Sequence, residues 1–450
     1  MGKRFDLIVI GTGAGGATAA YKCRKAGWEV AIIDSRPFGG TCALRGCDPK
    51  KVLVGAADLI DWIRRMEAKG VSATEAKIDW PSLMRFKKTF TDPVPENREK
   101  EYAKAGIAAF HGRTRFLDQT SLQVDHDTLS GRFILIAAGA KPATLGISGE
   151  PHLTTSDQFL ELEQLPQRII FVGGGYISFE FAHVAARAGA QVQILHRGVR
   201  PLEGFDADLV EQLVEATREL GIDVRLNTAV EGVEKDSDHF AVKASSENAE
   251  QTFEADLVVH GAGRVPDIDD LDLEKADIKR EEKGVSVNEY LQSVSNAAVY
   301  AAGDAAASSG LPLTPVASME GHVAASNMLN GNHRRPNYAG VSTVVFTIPP
   351  LASVGLQEEA AIKQGLKFKV NQEETSGWYS SRRVALKHSG FKTLVEENSH
   401  RILGAHLLGH NAEEAINIFA LAIRYGLKAE DLKTMIYAYP TSASDLSYMV

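Results

Sequence analysis

The stretch FDLIVIGTGAGGATAAYKCRKAGWEVAIID, residues 5–34, decides the fold of this 450-residue chain. An apolar run leads into the motif GTGAGG, and a second apolar run ends in Asp34. This order predicts a strand, a glycine turn, a helix and a second strand, which together form a βαβ unit. In the GxGxxG register, Gly11 permits a tight turn, Gly13 lets a pyrophosphate approach the backbone, and Gly16 lets the helix pack closely on the strand. Since Asp34 stands where a carboxylate accepts ribose hydroxyls, the unit predicts dinucleotide binding; a glycine-rich turn of another α/β fold is the alternative.

A second stretch, RIIFVGGGYISFEFAHVAARAGAQVQILHR at residues 168–197, repeats the order of strand, glycine turn, helix and strand. Two such units indicate two nucleotide-binding domains rather than an array of small repeats. The second unit ends in His196 and Arg197, with Arg200 close behind, where the first ends in a carboxylate. A cation there favours the 2′-phosphate of NADPH over a bare ribose diol. An exposed arginine on a loop is the alternative.

Composition narrows the class of protein. The chain is 44% hydrophobic and 24% charged, which is typical of a globular protein long enough for two or three domains. The net charge is −9 without a long basic run, so we do not expect a nucleic-acid partner. The apolar stretches are as short as single strands, and the start of the chain lacks the apolar core of a signal peptide, so we expect no membrane association and a cytoplasmic location.

Three further apolar runs end in small residues, namely FILIAAGAKP at 133–142, DLVVHGAGRVP at 256–266 and AAVYAAGDAAA at 297–307. Small residues at the end of a strand let the backbone approach a ligand. In the third run, Asp304 follows Gly303 where a carboxylate binds a sugar hydroxyl or caps a helix. From about residue 338, alternating runs such as VSTVVFTIPPLASVG precede the amphipathic stretch NAEEAINIFALAIRYG, which predicts a separate α+β domain.

The segment GGTCALRGCDPKK, residues 39–51, holds two of the three cysteines. Cys42 and Cys47 have three interpretations: metal ligands, a redox pair, or small core residues. A metal site needs two more ligands at close spacing, and no nearby His or Cys supplies them. In a reducing compartment a close pair is more typical of a catalytic or metal-binding site than of a structural disulfide. Cys23 lies inside the first predicted helix, where core packing is expected.

Taken together, the motifs GTGAGG, GGTCALRGC, GGGYISFE, HGAGRVP, VYAAGDAA and TIPPLASVG resemble those of the flavoprotein disulfide reductases, the family of glutathione reductase, dihydrolipoamide dehydrogenase and mercuric reductase. The resemblance implies an α/β fold with two Rossmann-like domains, one for FAD and one for NAD(P)H, followed by a C-terminal α+β dimerisation domain. It places the FAD-binding domain at 1–145 and 267–337, the NAD(P)H-binding domain at 146–266 and the interface domain of a homodimer at 338–450.

The resemblance also implies roles for individual residues. Cys47 is the sulfur nearest the flavin and forms the charge-transfer thiolate, whereas Cys42 is the interchange sulfur that attacks the substrate. Lys50 pairs with Glu180 near flavin N5, with Lys51 as the fallback. A helix after the cysteine pair, over residues 41–66, places Cys47 near a helix N-terminus, which lowers a thiol pKa.

The remaining implied residues bind the cofactors. Tyr176 is an aromatic lid over the flavin that moves when nicotinamide binds. The others belong to the glycine turns and the ends of strands, and the full set is Gly11, Gly13, Gly15, Gly16, Asp34, Gly40, Thr41, Lys51, Gly112, Ala138, Gly139, Gly303 and Asp304 for FAD, and Gly173, Gly175, Tyr176, Ile177, His196, Arg197, Arg200 and Gly263 for the nicotinamide side.

The C-terminal segment departs from the family pattern. Most of these reductases carry His-Pro-Thr, with a glutamate three residues later, as an acid–base pair for the interchange thiol. Here Tyr439 precedes Pro440 and Thr441, and Ser444, next to Asp445, stands in the place of the glutamate. Free tyrosine titrates near pH 10 and histidine at about 6.5, so Tyr439 is predicted to be a poor base and exchange with ordinary disulfides to be slow. Alternatively, Tyr439 only fills the dimer interface.

Three charged positions also differ from the pattern. Asp48 follows Cys47 where apolar residues are usual, and Arg45 stands between the cysteines. An unpaired Asp48 raises the pKa of a neighbouring thiol and Arg45 lowers it. Glu203 replaces a second 2′-phosphate arginine of glutathione reductase, which weakens the NADPH preference and leaves NADH possible.

These observations predict an FAD-dependent NAD(P)H:disulfide oxidoreductase that passes electrons from NADPH to a Cys42–Cys47 disulfide and on to a small disulfide substrate, without a metal. Two alternatives remain open. One is a reductase of a non-disulfide acceptor, such as a quinone or mercuric ion. The other is a low-turnover flavin redox sensor.

Overall fold

A computed structural model describes residues 3–73, 75–246 and 249–450. The chain divides into two compact units. The first unit comprises Met1–Pro49, Phe86–Ala143 and Arg264–Tyr338, and the second comprises Lys50–Arg85, Thr144–Gly263 and Ala339–Val450.

The strands, in chain order, are β1 Lys3–Ile10, β2 Val30–Asp34, β3 Ala108–His111, β4 Thr114–Phe116, β5 Ser121–Val124, β6 Asp127–Ile136, β7 Ala140–Pro142, β8 Arg168–Val172, β9 Gln191–Leu195, β10 Asp223–Arg225, β11 Thr228–Asp236, β12 His239–Ser246, β13 Ala249–Ala255, β14 Leu257–His260, β15 Arg264–Pro266, β16 Arg280–Glu281, β17 Gly284–Val285, β18 Val299–Ala301, β19 Ser342–Val345, β20 Leu351–Gly355, β21 Phe368–Glu374, β22 Gly390–Glu396 and β23 Ile402–Leu408.

The α-helices are α1 Ala14–Lys25, α2 Gly40–Arg45, α3 Cys47–Met66, α4 Trp80–Thr91, α5 Val94–Ala105, α6 Ser156–Phe159, α7 Tyr176–Arg187, α8 Ala207–Glu219, α9 Thr314–Asn330, α10 Glu358–Lys363, α11 Tyr379–Arg382, α12 Ala412–Tyr425 and α13 Ala429–Thr434. Short 3-10 helices include Gly303–Ala305 and Ser442–Tyr448. In the described part of the chain, no helix has the length and apolar content needed to cross a membrane.

The first unit is built on a sheet of order β3-β2-β1-β6-β5-β4, in which β18 also pairs with β6. Strand β1 runs parallel to β2 and β6, and β3 and β18 extend the parallel part. Ile8 and Ile10 belong to one buried cluster, and Leu7 and Val9 to another. Because both faces of β1 are covered, its apolar residues follow one another without alternation. The carboxyl ends of β1, β2, β3, β6 and β18 therefore lie along one edge of the sheet.

The second unit contains a parallel sheet of order β10-β9-β8-β14, a three-stranded sheet β11-β12-β13 and an antiparallel sheet β19-β20-β23-β22-β21. Strand β8 is also buried on both faces, since Ile169 and Phe171 join one apolar cluster and Ile170 and Val172 another. Helix α12 buries Phe419 in the core of the antiparallel sheet. The antiparallel region after residue 338 matches the alternating sequence pattern.

Both predicted βαβ units, the three strands that end in small residues and the C-terminal α+β region are confirmed. Two local predictions need correction. The helix expected over residues 41–66 is interrupted at Gly46, whose φ of −147° and ψ of −114° separate α2 from α3, although Cys47 lies at a helix N-terminus as expected. Asp304 does not cap an α-helix, because it lies within the 3-10 turn Gly303–Ala305 and α9 begins only at Thr314. The division into three functional domains stays a prediction.

Candidate active site

The first glycine turn joins β1 to α1 and excludes side chains where the backbone closes on itself. Gly11 has a φ of 105°, and a Cβ there would lie 2.2 Å from the carbonyl oxygen of Ala137. A Cβ at Gly16 would lie 2.1 Å from the carbonyl oxygen of Gly11. A Cβ at Gly13, by contrast, would meet only the Cα of Gly40, at 3.9 Å. The turn therefore has no room for a side chain at Gly11 or Gly16 but is open at Gly13, which fits a pyrophosphate above the N-terminus of α1.

Asp34 ends β2 with its carboxylate held in one orientation. Oδ2 accepts hydrogen bonds from the backbone N–H of Thr12 at 2.9 Å and from its hydroxyl at 2.6 Å, and Oδ1 accepts from the N–H of Arg36 at 3.0 Å. The side chain is half-buried beside the glycine turn. This arrangement fits recognition of an adenosine ribose. Thr12 was not predicted, although its place inside the GxG motif is a usable signal.

Other predicted FAD-binding residues lie at the same edge of the first unit's sheet. Gly112 follows β3 and donates its N–H to the carbonyl of Asp34 at 3.0 Å, and Ala138 and Gly139 follow β6. Gly303 and Asp304 follow β18. Parallel strands end at a common edge, so the topology brings these residues together with the glycine turn.

The surroundings of Asp304 shift the pKa of its carboxyl group in two opposing directions. Burial raises the pKa of its carboxyl group, and the nearby Arg264 guanidinium counters that shift. The Arg264 guanidinium also donates a hydrogen bond to the carbonyl of Ala140.

Glu320 of α9 supports the loop that carries Asp304. It is fully buried, and its carboxylate accepts hydrogen bonds from the Gly303 N–H at 2.7 Å and from the hydroxyls of Ser308 and Tyr338, both at 2.6 Å. Burial nevertheless raises the pKa of Glu320. Sequence reasoning missed Glu320, since nothing in the local pattern distinguishes it from an exposed helical glutamate.

Helix α9 also packs closely on α1. A Cβ at Gly15 would lie 3.0 Å from the carbonyl oxygen of Ala317, and a Cβ at Gly321 would lie 2.1 Å from the carbonyl oxygen of Gly15. The glycine at position 15 is therefore explained by helix packing, in addition to its predicted place in the dinucleotide turn.

The cysteine pair lies beside the first glycine turn. Helix α2 begins at Gly40, where a Cβ would lie only 2.4 Å from the Cα of Gly13. Thr41 and Cys42 follow in α2, and Cys47 is the first residue of α3. Both cysteines are thiols here, Cys42 half-buried and Cys47 exposed, and their side chains are hydrogen-bonded to each other.

Thr314, the first residue of α9, contacts both sulfurs. Its hydroxyl lies 3.4 Å from the Sγ of Cys47 and also hydrogen-bonds to Cys42. Two helix N-termini, those of α3 and α9, therefore meet Cys47, and both favour negative charge on its sulfur. Thr314 is a contact that sequence reasoning missed, because 267 residues separate it from Cys47.

The surroundings of Cys42 raise the pKa of its thiol. The hydrogen bond with Cys47 and, next, burial raise the pKa of the Cys42 thiol, and the Asp48 carboxylate contributes in the same direction. The Sγ of Cys42 donates to Oδ1 of Asp48 at 3.7 Å. Among the described residues, no group of three or more His, Cys, Asp or Glu side chains is arranged to hold a metal ion.

In the second unit, Lys50 and Glu180 form a buried ion pair. The Nζ of Lys50 lies 2.7 Å from Oε1 of Glu180, whose side chain is 4% exposed. Oε1 also accepts the N–H of Phe346 at 2.9 Å, and the Lys50 ammonium lies 4.7 Å from the Phe346 ring centroid. Lys51, the predicted fallback, instead lies 3.7 Å from Glu413 and 4.0 Å from the Phe346 ring centroid.

The second glycine turn joins β8 to α7 and carries the predicted lid. Gly173 has a φ of 106°, Gly175 caps α7, and Tyr176 and Ile177 are the first residues of the helix. The hydroxyl of Tyr176 lies 2.7 Å from that of Thr343, and its ring packs against Phe205 with centroids 5.5 Å apart. Tyr176 is thus closed onto its own unit although 38% of it remains exposed. Thr343 was not predicted.

The predicted 2′-phosphate residues follow β9. His196 packs against the turn, since a Cβ at Gly174 would lie 2.7 Å from its Cγ, and its Nε2 lies 3.0 Å from the carbonyl oxygen of Arg200. Arg197 is exposed, whereas Arg200 lies 3.5 Å from Glu359. Gly263, after β14, has a φ of 113° and open space where its Cβ would be.

Tyr439 lies near the C-terminus of the second unit and is 80% exposed. The following residues form a small turn in which Thr441 accepts from the N–H of Ser444 at 3.2 Å. Asp445 accepts a hydrogen bond from Ser380, and burial raises the pKa of its carboxyl group. Ser444 thus stabilises the turn and does not replace the glutamate that orients a base.

The comparisons with known proteins agree with this geometry. The model of the pyridine nucleotide-disulphide oxidoreductases matches residues 5–321, and the model of their dimerisation domain matches residues 341–450. Glutathione reductase of Burkholderia cepacia is 34% identical over 446 residues, which cover 98% of this chain and 97% of that protein. Mercuric reductase of Staphylococcus aureus is 31% identical over 452 residues, with 98% of this chain and 81% of that protein covered.

Among solved structures, the Cu(II) complex of the HOCl-induced flavoprotein disulfide reductase RclA from Escherichia coli matches with a TM-score of 0.88 and 27% identity, covering 100% of this chain and 99% of that one. The predicted fold class, with nucleotide-binding domains and a C-terminal dimerisation domain, is confirmed. The chain belongs to the pyridine nucleotide-disulphide oxidoreductase family and is an enzyme that uses FAD and a pyridine nucleotide.

Proposed function

We propose that the protein reduces a small disulfide with NADPH and that Cys42 and Cys47 are the residues that carry the electrons. The observation that supports this most strongly is the contact of the two sulfurs at the start of α3, with Thr314 touching both. Cys42 attacks the substrate, and Cys47, beside two helix N-termini, carries the thiolate.

FAD supplies the chemistry that accepts a hydride from the nicotinamide and delivers an electron pair to a disulfide. The glycine turn at Gly11–Gly16, Asp34 and the strand ends at Gly112, Gly139 and Gly303 would hold it. Asp34 binds the adenosine ribose, and Asp304 binds the ribityl and phosphate portion. In the second unit, the Lys50–Glu180 pair would supply fixed charge for the reacting part of the cofactor, and Tyr176 would act as the lid that nicotinamide displaces.

The remaining parts of the proposal concern specificity and assembly. His196, Arg197 and Arg200 favour the 2′-phosphate of NADPH. The dimerisation domain supports a homodimer, with residues 1–145 and 267–337 as the FAD-binding domain, 146–266 as the NADPH-binding domain and 338–450 as the interface domain. We expect this dimer in the cytoplasm.

A turnover experiment tests the proposal. The purified protein is assayed with NADPH against glutathione disulfide, lipoamide and bis(2-hydroxyethyl) disulfide, in parallel with Cys42→Ser. We expect the wild type to oxidise NADPH with at least one of these disulfides. In Cys42→Ser the rate should fall by about 10³-fold, because no interchange sulfur remains. Disulfide turnover that survives this substitution would refute the role of Cys42.

A second candidate function is reduction of a quinone or of a metal ion such as Hg²⁺. The exposed Tyr439 in the place of the usual histidine favours it, because such acceptors need no proton for a leaving thiolate. The same pair of proteins separates the candidates: a quinone reductase keeps its rate in Cys42→Ser. Steady NADPH turnover with any of these acceptors would also exclude a low-turnover flavin redox sensor.

A further inference from the structure

Asp48 is the residue of the cysteine segment that the proposed function leaves without a role. It follows Cys47 in the first turn of α3, is exposed to solvent, and lies at a helix N-terminus, which stabilises a carboxylate. Its Oδ1 accepts a hydrogen bond from the sulfur of Cys42 at 3.7 Å. Gly46 separates α2 from α3, so Cys42 and Asp48 belong to different helices.

We propose that Asp48 determines substrate specificity: its carboxylate places a negative charge where the substrate disulfide attaches, so the enzyme discriminates against anionic disulfides in favour of neutral and cationic ones. The inference rests on the proposed function, in which Cys42 is the interchange sulfur.

The chemistry explains why the charge matters. Cys42 loses its proton to solvent and attacks one sulfur of a disulfide RSSR, so that a bond forms between Cys42 and that sulfur and RS⁻ leaves. The Cys47 thiolate then attacks the Cys42 sulfur, the Cys42–Cys47 bond forms and the second RS⁻ leaves. Two protein sulfurs are oxidised and two substrate sulfurs are reduced. The first step creates negative charge on Cys42 and on the leaving group, and both lie near the Asp48 carboxylate.

The groups that act on the Cys42 sulfur come from two helices. Cys47 and Asp48 belong to α3, and the Thr314 hydroxyl belongs to α9. Arg45, the last residue of α2, is the cation nearest in sequence. Thr314 lowers the pKa of Cys42, whereas Cys47 and Asp48 raise it. Asp48 can be removed without changing the other contacts, since asparagine has almost the same shape.

The first test needs no turnover. Chemically reduced wild-type protein and Asp48→Asn are treated with iodoacetamide across a pH series, and the alkylation of Cys42 is followed by peptide mass spectrometry. We expect Cys42 of Asp48→Asn to react about fivefold faster at pH 7, the effect of one unit charge at about 4 Å in water, with its pH profile displaced downward. Asp48→Glu, which keeps the charge, should behave like the wild type. Equal rates in wild type and Asp48→Asn would overturn the proposal.

The second test uses three disulfides of similar size and different charge: cystamine, bis(2-hydroxyethyl) disulfide and 3,3′-dithiodipropionate. For each, the ratio of kcat/KM in Asp48→Asn to that in the wild type cancels the differences between leaving thiols. We expect this ratio to rise by about threefold for each unit of negative substrate charge, as for unit charges roughly 7 Å apart in water. The trend should flatten in about 1 M salt, where the Debye length is near 3 Å.

Asp272→Asn is the matched control. It removes a carboxylate that is hydrogen-bonded to Lys275 in the same unit, at a left-handed position that asparagine tolerates. The ratio of kcat/KM in Asp272→Asn to that in the wild type should be the same for all three disulfides. If the wild type reduces none of these three disulfides and neither glutathione disulfide nor lipoamide, the proposed function fails. If it reduces them but the ratio for Asp48→Asn is independent of substrate charge, the role of Asp48 fails and the role of Cys42 stands.

Discussion

In the first unit the turn between β1 and α1 holds Gly11 at a φ of 105°, and in the second the turn between β8 and α7 holds Gly173 at 106°. The helices that follow are both 12 residues long, and both begin after an extended glycine, Gly13 or Gly175. The backbones of the two turns are thus closely alike. What distinguishes them is the residue at the end of the second strand.

In the first unit this position holds a carboxylate with a fixed orientation. In the second unit the strand is followed by a loop with cationic side chains. Asp34 is held by three hydrogen bonds from Thr12 and Arg36, whereas β9 is followed by His196 and the exposed Arg197. The helices differ as well: α7 carries the buried Glu180, His183 and Arg187, and α1 contains no buried charged residue. Under the proposed function the same kind of turn serves two nucleotides, and we expect these side chains to decide which one binds.

The largest effects are expected from substitutions of the two glycines. In Gly11→Ala the new Cβ would lie 2.2 Å from a carbonyl oxygen, so we expect loss of FAD from the purified protein. In Gly173→Ala the distance is 2.5 Å, and we expect FAD to remain while reduction by NADPH is lost. The absorbance of bound flavin measures how much FAD each variant retains, and anaerobic addition of NADPH measures whether that flavin is reduced.

Gly189→Ala is the control for these glycines. Its φ is also 105°, but nothing lies within 4 Å of the added Cβ, so it should cost only about 1 kcal/mol of strain and keep both activities. If Gly173→Ala released FAD as readily as Gly11→Ala, the two turns would not serve separate nucleotides.

The next effect in size is expected at Asp34. In Asp34→Ala, the donors of Thr12 and Arg36 lose their acceptor and the ribose loses its partner, at a cost of about 2–3 kcal/mol. The dissociation constant of FAD, measured by flavin fluorescence on dilution, should rise by about 30- to 150-fold. Unchanged FAD affinity would show that Asp34 stabilises only the apoprotein.

A smaller effect is expected at the cationic loop. Arg197→Ala should raise the KM for NADPH about tenfold, the loss of one charge-assisted hydrogen bond, and leave the KM for NADH unchanged. Arg200→Ala should have less effect, because Arg200 already lies beside Glu359. Parallel steady-state assays with both nucleotides check this. An equal change for NADH would mean that the loop does not read the 2′-phosphate.

The smallest effect is expected at the lid. Thr343→Val removes the hydrogen bond of 2.7 Å that holds the Tyr176 hydroxyl, worth about 1 kcal/mol. In the proposed function Tyr176 is a lid that moves before nicotinamide enters, so we expect the KM for NADPH to fall by about fivefold. Tyr176→Phe, which removes the same bond from the other side, should give the same result. A raised KM in both would show that the closed lid helps to bind the nucleotide.

The sequence was sufficient for those parts of the fold that depend on local pattern. Both βαβ units, the strand ends at Ala138 and Gly303 and the antiparallel C-terminal sheet follow from runs of apolar residues and glycines. The contacts of Thr314 with Cys47 and of Glu320 with Gly303 could not be predicted, because they join residues that only the topology brings together.

Other contacts depend on the local course of the backbone between Cys42 and Lys51. Cys42 and Asp48 lie on either side of the interruption at Gly46, and a continuous helix over these residues would not predict their contact, because positions six apart lie on different faces of a helix. Likewise, the choice between Lys50 and Lys51 as partner of Glu180 is set by which lysine the first turn of α3 directs at α7. Adjacent residues of one helix point in different directions, and the sequence alone does not say which direction is buried.

Anaerobic titration with NADPH tests the relay through the cysteines most directly. The long-wavelength absorption of a thiolate against oxidised flavin should appear on reduction of the wild type and be present before any NADPH is added in Cys42→Ser, and it should be absent from Cys47→Ser while that variant retains its FAD. A band of undiminished strength in Cys47→Ser would contradict the account.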